Sequence, residues 1–156
     1  MKIKKYGVLI MHKSVRGIIE KDNGIILIHR IKPQENGILR DYYVIPGGKI
    51  ELGETEEETV VRELKEELGI NVRPEKKLIE IESKYDDSIQ IFYLCKYIDG
   101  IIGTGNGPEF QNKEKYKGTY EILVVKKENI KTINLVPEEI KHFLEKEIEL
   151  YEEKTL

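Results

Sequence analysis

The amino-acid sequence predicts an α/β (α+β) fold, a sheet with helices on its faces, in one domain over residues 1–156. Three observations lead to it. A chain of 156 residues, 39% of them hydrophobic, can bury a core without disulfides. Segments of strand-like composition alternate with segments whose apolar residues recur at helical spacing. No repeat and no low-complexity linker interrupts that alternation.

Taken in order, Val15 to Ile19 reads as a strand, Lys21-Asp22-Asn23-Gly24 as a turn, and Ile25 to Ile31 as the returning strand of a hairpin. Lys32 to Arg40, with Pro33, Asn36 and Gly37, reads as a loop. Tyr42 to Ile45 is a short strand that stops at Pro46-Gly47-Gly48. A helix follows. Thr55 is its N-cap, Glu58 completes a capping box, and Gly69 ends it. Val60, Val61, Leu64 and Leu68 form its apolar face. Leu78 to Lys84 and Ser88 to Tyr97 read as two strands about a turn at Asp86-Asp87. Asp99 to Gly118 is a long glycine-bearing loop, and loops of this length often carry function. Thr119 to Val125 is a strand. Pro137 opens a last helix, with Glu138 and Glu139 in its first turn and Ile140, Phe143, Leu144, Ile148 and Tyr151 as its stripe.

Composition narrows the function classes. A formal net charge of −3 gives no electrostatic case for a nucleic-acid polymer as the partner. The one cysteine, Cys95, lies among Ile91, Phe92, Tyr93, Leu94 and Tyr97 and reads as a structural thiol. His12, His29 and His142 are scattered, which argues against a histidine metal site or a histidine-led triad. No apolar run is long enough to span a membrane, and Val8 to Ile10 is too short for a signal-peptide core. The expectation is a cytoplasmic protein.

The chemistry concentrates between Gly48 and Ile70. Eight glutamates fall between Glu51 and Glu67. Glu63, Glu66 and Glu67, at i, i+3 and i+4, project from one side of the helix within an arc of about 100°. Like charges so close destabilise one another unless something positive sits between them. A hard divalent ion that prefers oxygen, such as Mg²⁺, would neutralise them and also bind substrate phosphates. Ahead of them, Pro46-Gly47-Gly48 can bring bare backbone close to a ligand or ion.

Gly48, Glu54, Arg62-Glu63-Leu64, Glu66-Glu67 and Gly69-Ile70 match every specified position of a known signature without a gap. That signature belongs to the Nudix hydrolase family, which this chain resembles from about Val15 onward, including the lead-in Tyr43-Val44-Ile45-Pro46-Gly47. The resemblance implies a Nudix-type α/β/α sandwich with a mixed central sheet, a single domain over 1–156 and a motif at 48–70. It implies a pyrophosphohydrolase that cleaves a nucleoside diphosphate linked to another group. It assigns Glu63, Glu66 and Glu67 as metal ligands, with the Gly48 carbonyl as a further ligand. Glu54 and Arg62 brace the loop against the helix. The cofactor is Mg²⁺, with Mn²⁺ as a substitute. The catalytic set is Glu66, Glu67 and Glu109. Glu114 is the second choice for the acid beyond the motif, so the general base stays open among Glu109, Glu114 and a motif glutamate.

For substrate contacts the candidates are Arg16, Arg30 and Arg40 for phosphate, and Tyr43, Tyr42 or Phe110 for stacking on a base or sugar. The substrate reading is a nucleoside triphosphate or related nucleotide. Tyr85 and Asp86 stand where members favouring ADP-ribose carry a proline, which disfavours that class. ADP-ribose, nucleotide sugars and dinucleoside polyphosphates remain alternatives, as does a domain that senses a nucleotide without cutting it. The expected partner is a small-molecule nucleotide, with no membrane and no nucleic-acid polymer. The family suggests a homodimer, although no stretch of sequence identifies an interface.

Overall fold

The computed structural model describes residues 3–5, 8–10, 12–106 and 118–155, with side chains described for 12–106 and 118–148. The chain divides into two compact units, Met1–Ile19 with Pro46–Asn106, and Glu20–Ile45 with Gly107–Leu156.

In the first unit, β1 (Ile3–Lys5) pairs antiparallel with β2 (Val8–Ile10). A separate mixed sheet is built on β3 (His12–Lys21), which runs parallel to β8 (Ser88–Gly100) and antiparallel to β6 (Gly47–Lys49). β7 (Ile70–Glu82) closes it, antiparallel to β8. Helix α1 (Glu56–Leu68) buries Thr59, Val60, Leu64 and Leu68. It packs close to β3: Leu64 Cδ1 would lie 2.6 Å from a Cβ at Gly17. The predicted capping box is formed, with Thr55 Oγ1 accepting from Glu58 N at 3.1 Å and Glu58 Oε1 accepting from Thr55 N at 3.1 Å. Gly69 ends the helix in the left-handed region, φ 81°.

In the second unit, β4 (Gly24–Pro33) lies between β5 (Leu39–Val44) and β9 (Thr119–Lys126), antiparallel to both. β10 (Leu135–Val136) adds to β5 in parallel. The end of β3 turns into β4 through Asp22 and Asn23, both at positive φ (51° and 60°), the two-residue hairpin turn that the sequence signals. A 3-10 helix (Lys127–Thr132) and α2 (Glu138–Thr155) complete the unit. Ile26, Leu27, Ile28, Ile45, Ile130, Leu135 and Ile140 are buried in it.

Several expected boundaries move. The strand expected over Leu78 to Lys84 starts at Ile70, directly after the helix cap. Its pairing with β8 shifts register near Asn71, Pro74 and Lys77, which erases a clean alternation from the sequence. The loop expected over Lys32 to Arg40 shrinks, since β4 reaches Pro33 and β5 begins at Leu39. The loop expected from Asp99 begins only after Gly100. Gly47 and Gly48, expected in a turn, pair with β3. Val61, expected on the apolar face of α1, is only half-buried, and Thr59 is buried instead. The side chain of Tyr151 lies outside the described residues.

Candidate functional site

The site is built on the first unit from the β6 backbone, the loop after it, and α1. Arg62 joins them. Its Nε donates to Glu54 Oε2 at 2.7 Å and its Nη2 to Glu54 Oε1 at 2.9 Å, a fork-to-fork pair. Nη2 also donates to the Lys49 carbonyl at 3.0 Å, while Nη1 donates to Glu63 Oε1 at 2.9 Å and Glu66 Oε2 at 3.3 Å. Glu51 Oε1 lies 3.6 Å from Nη1. One guanidinium therefore faces four carboxylates, two from the loop and two from the helix.

Titration behaviour follows. The Arg62 guanidinium holds the Glu54 carboxyl down at about 2, with the Glu51 amide and the Thr59 hydroxyl assisting against partial desolvation. Arg62 is raised in turn, first by its hydrogen bond to Glu54. Thr59 Oγ1 stands 3.0 Å from Glu54 Oε1 and 2.9 Å from the Thr55 carbonyl and can donate to one of them at a time. Glu54 Oε1 also accepts from the Glu51 N–H at 2.9 Å. The loop is thus fixed by hydrogen bonds to the charged form of one carboxylate.

Glu63, Glu66 and Glu67 emerge on the expected edge of α1. The Glu63 carboxyl carbon lies 2.3 Å from where a Cβ on Gly48 would be, so the carboxylate rests on bare backbone that any side chain would obstruct. Glu67 Oε1 accepts from the Gly47 N–H at 3.2 Å. These oxygen donors suit a hard divalent cation. Among the described residues, no three acidic, histidine or cysteine side chains are grouped to hold a metal ion, and Glu63 and Glu66 are turned toward Arg62. A shallow hollow of about 360 Å³ lies beside the loop, lined by Lys13, Ile50, Glu51, Leu52, Gly53 and Glu54.

The sequence reading missed a strap across the end of α1. Gly103 N–H donates to the Leu68 carbonyl at 2.9 Å, satisfying one of the helix's last acceptors. A Cβ on Gly105 would meet the Glu66 carbonyl oxygen at 2.3 Å. Backbone thus crosses directly over the turn that carries Glu66 and Glu67. The density of glycines at 100, 103 and 105 was the available signal.

Other candidates scatter. Arg16 stays with the motif: it pairs with Gly47 across β3 and β6. Arg30 and Arg40 belong to the second unit, on one face of the β4–β5 pair. Tyr43 is on the opposite face, its ring 4.3 Å from that of His29 and 11° off parallel. It cannot line one surface with Arg30 and Arg40, because strand parity separates them. Glu109, Glu114 and Phe110 lie outside the described residues. No helix among the described residues is long and apolar enough to cross a membrane.

A strand end with two glycines, a loop clamped by one arginine and a helix edge bearing three carboxylates make an acidic loop–helix site on a mixed α/β fold. The chain belongs to the family defined by the NUDIX domain, whose model matches residues 11–133. It is 40% identical over 111 residues to an ADP-ribose pyrophosphatase of Methanocaldococcus jannaschii, covering 67% of this chain and 62% of that one. It is 39% identical over 71 residues to an 8-oxo-dGTP diphosphatase of Escherichia coli, covering 46% and 54%. The chain therefore spans less than two thirds of either relative. The crystal structure of a MutT protein from Methanosarcina mazei Go1 shares the fold, with a TM-score of 0.63 at 22% identity over 87% of this chain and 91% of that one.

Proposed function

We propose that the protein is a pyrophosphohydrolase that uses divalent metal to cleave a phosphoric anhydride in a nucleoside diphosphate linked to another group. The observation that carries this reading is the gathering of Glu51, Glu54, Glu63 and Glu66 about Arg62, with Glu67 beside them on the Gly47 N–H. Carboxylate oxygens gathered so densely suit a hard divalent cation. Glu63, Glu66 and Glu67 would hold the metal, with the Gly48 carbonyl adding an oxygen. Mg²⁺ is the ion of choice and Mn²⁺ its substitute. A divalent ion held there would polarise phosphoryl oxygens and lower the pKa of bound water.

The chain's own residues do the rest. Glu54 and Arg62 fix the loop that brings Gly48 to the helix. Gly47 N–H holds Glu67, which with Glu66 would take the proton of the attacking water. Glu109 or Glu114 is the added acid of this proposal. Arg16, whose backbone pairs with Gly47, is the phosphate contact of this proposal within the motif's own unit.

The substrate reading is a nucleoside triphosphate or related nucleotide, and the 39% relative named for 8-oxo-dGTP supports it. The 40% relative favours ADP-ribose as a second reading. The deciding experiment offers the protein, with Mg²⁺, a panel of nucleoside triphosphates, ADP-ribose, nucleotide sugars and dinucleoside polyphosphates, and identifies products. Release of a nucleoside monophosphate from at least one supports hydrolysis. Tight binding of one without turnover of any would instead make the domain a sensor.

A further inference from the structure

The outer part of the β4–β5–β9 sheet sorts its charges by face. In antiparallel pairs, directly opposed residues point the same way. Arg30 opposes Tyr42 on β5 and Tyr120 on β9, and Lys32 opposes Arg40, so these five share one face. His29 opposes Tyr43 and Glu121, so the other face carries the histidine with its acids: Nε2 lies 2.6 Å from Asp41 Oδ1, and Nδ1 lies 3.9 Å from Glu121 Oε2. Three cations are thus collected on one side while the neighbouring carboxylates of the same strands point to the other.

Two of the cations lie over tyrosine rings. The Arg40 guanidinium lies 4.2 Å from the Tyr42 ring centroid, and that of Arg30 lies 5.2 Å from the Tyr120 ring centroid. Arg30 Nε is further fixed by donating to the Thr119 carbonyl at 2.9 Å. A guanidinium held over a ring keeps planar N–H donors that match phosphate oxygens. Lys32 and Arg40, directly opposed, repel each other, a cost that an anion would offset.

We propose that this face, with Arg30, Lys32 and Arg40 braced by Tyr42 and Tyr120, is a binding site for a polyphosphate chain. Each tyrosine ring already has a guanidinium over it, and the charge of the face is positive, so its ligand is the phosphate oxygens. The site rests on the proposed function for the source of those phosphates, but not for the binding itself.

The test is calorimetric titration of the whole chain with inorganic tripolyphosphate, with EDTA present so that metal-mediated binding is removed. The comparison is wild type against Lys32→Gln/Arg40→Gln. A second double variant, Lys131→Gln/Lys146→Gln, removes the same charge from exposed positions elsewhere in the unit. The proposal expects binding by wild type, at least about tenfold weaker binding by the first variant, and a change within about twofold in the second. No binding by wild type, or equal affinities in the two variants, overturns it. Loss of folding is checked by thermal midpoint, and Arg30→Lys serves as a milder replacement that keeps the charge but not the fork. With Mg²⁺ and a turned-over nucleotide, a raised KM at unchanged kcat in the first variant assigns the site to the substrate's own phosphates. An unchanged KM assigns it to a separate phosphate ligand. The metal-free titration is read whether or not any nucleotide is hydrolysed, so failure of the site and failure of the proposed reaction are distinguishable.

Discussion

Arg62 grips Glu54 through two parallel hydrogen bonds, Nε to Oε2 at 2.7 Å and Nη2 to Oε1 at 2.9 Å, and so ties the loop after β6 to the middle of α1. The fork geometry matters as much as the charge. Lysine keeps the charge but cannot bond bidentately. Arg62→Lys is expected to lower the thermal midpoint and to weaken divalent-metal binding in a calorimetric titration, while Arg62→Ala does both more severely. An unchanged metal affinity in Arg62→Lys would mean that the loop is positioned by something else.

Glu54 makes acid stability titratable. Its folded pKa is held at about 2, below the ordinary 4.5, so the unfolded chain binds the proton more tightly. The stability it contributes is complete above pH 4.5 and is lost as pH falls from there toward 2. Glu54→Gln should lower stability at neutral pH and flatten its decline across that window. Chemical denaturation of both proteins at a series of pH values measures this, and parallel curves would remove Glu54 from the account.

How much of this could be read from the chain depended on the range of the interaction. The capping box of Thr55 and Glu58, the Asp22-Asn23 turn and the stop at Gly69 are local, and all three were legible. The carboxylate edge of α1 followed from helical spacing alone. The early part of β7 did not show, because Pro74 and the charged run Glu75-Lys76-Lys77 break alternation exactly where the pairing slips. The grouping of Arg30, Lys32 and Arg40, and the position of Tyr43 on the opposite face, needed the register of β4 against β5, which no single strand encodes. The reach of Arg62 to Lys49 and Glu51 likewise depends on how the loop folds back on the helix.

The strap across α1 leaves no room at Gly105. Gly105→Ala places a methyl group 2.3 Å from the Glu66 carbonyl, so the loop or the helix end must shift. The expected cost is about 1–3 kcal/mol, as for other overpacked contacts. Urea unfolding gives the stability, and kcat measured on the folded fraction should fall as well. Full stability with full kcat would show that the crossing is unimportant.

Burial pushes the Cys95 thiol up to about 12, and its side chain is 3% exposed. A thiol of that kind is almost entirely protonated near neutrality and reacts slowly. Native protein should therefore resist alkylation by iodoacetamide, with full labelling only in denaturant. Rapid native labelling would contradict this burial.

The most direct test of the central claim is the rate of Glu67→Gln on a nucleotide that the wild type hydrolyses with Mg²⁺. Glutamine can still accept the Gly47 N–H bond that Glu67 now accepts at 3.2 Å, so the fold should survive. The account predicts a fall in kcat of at least about 100-fold, alongside loss of wild-type activity when metal is chelated. Full activity of the folded variant, or wild-type turnover that persists without metal, would contradict it.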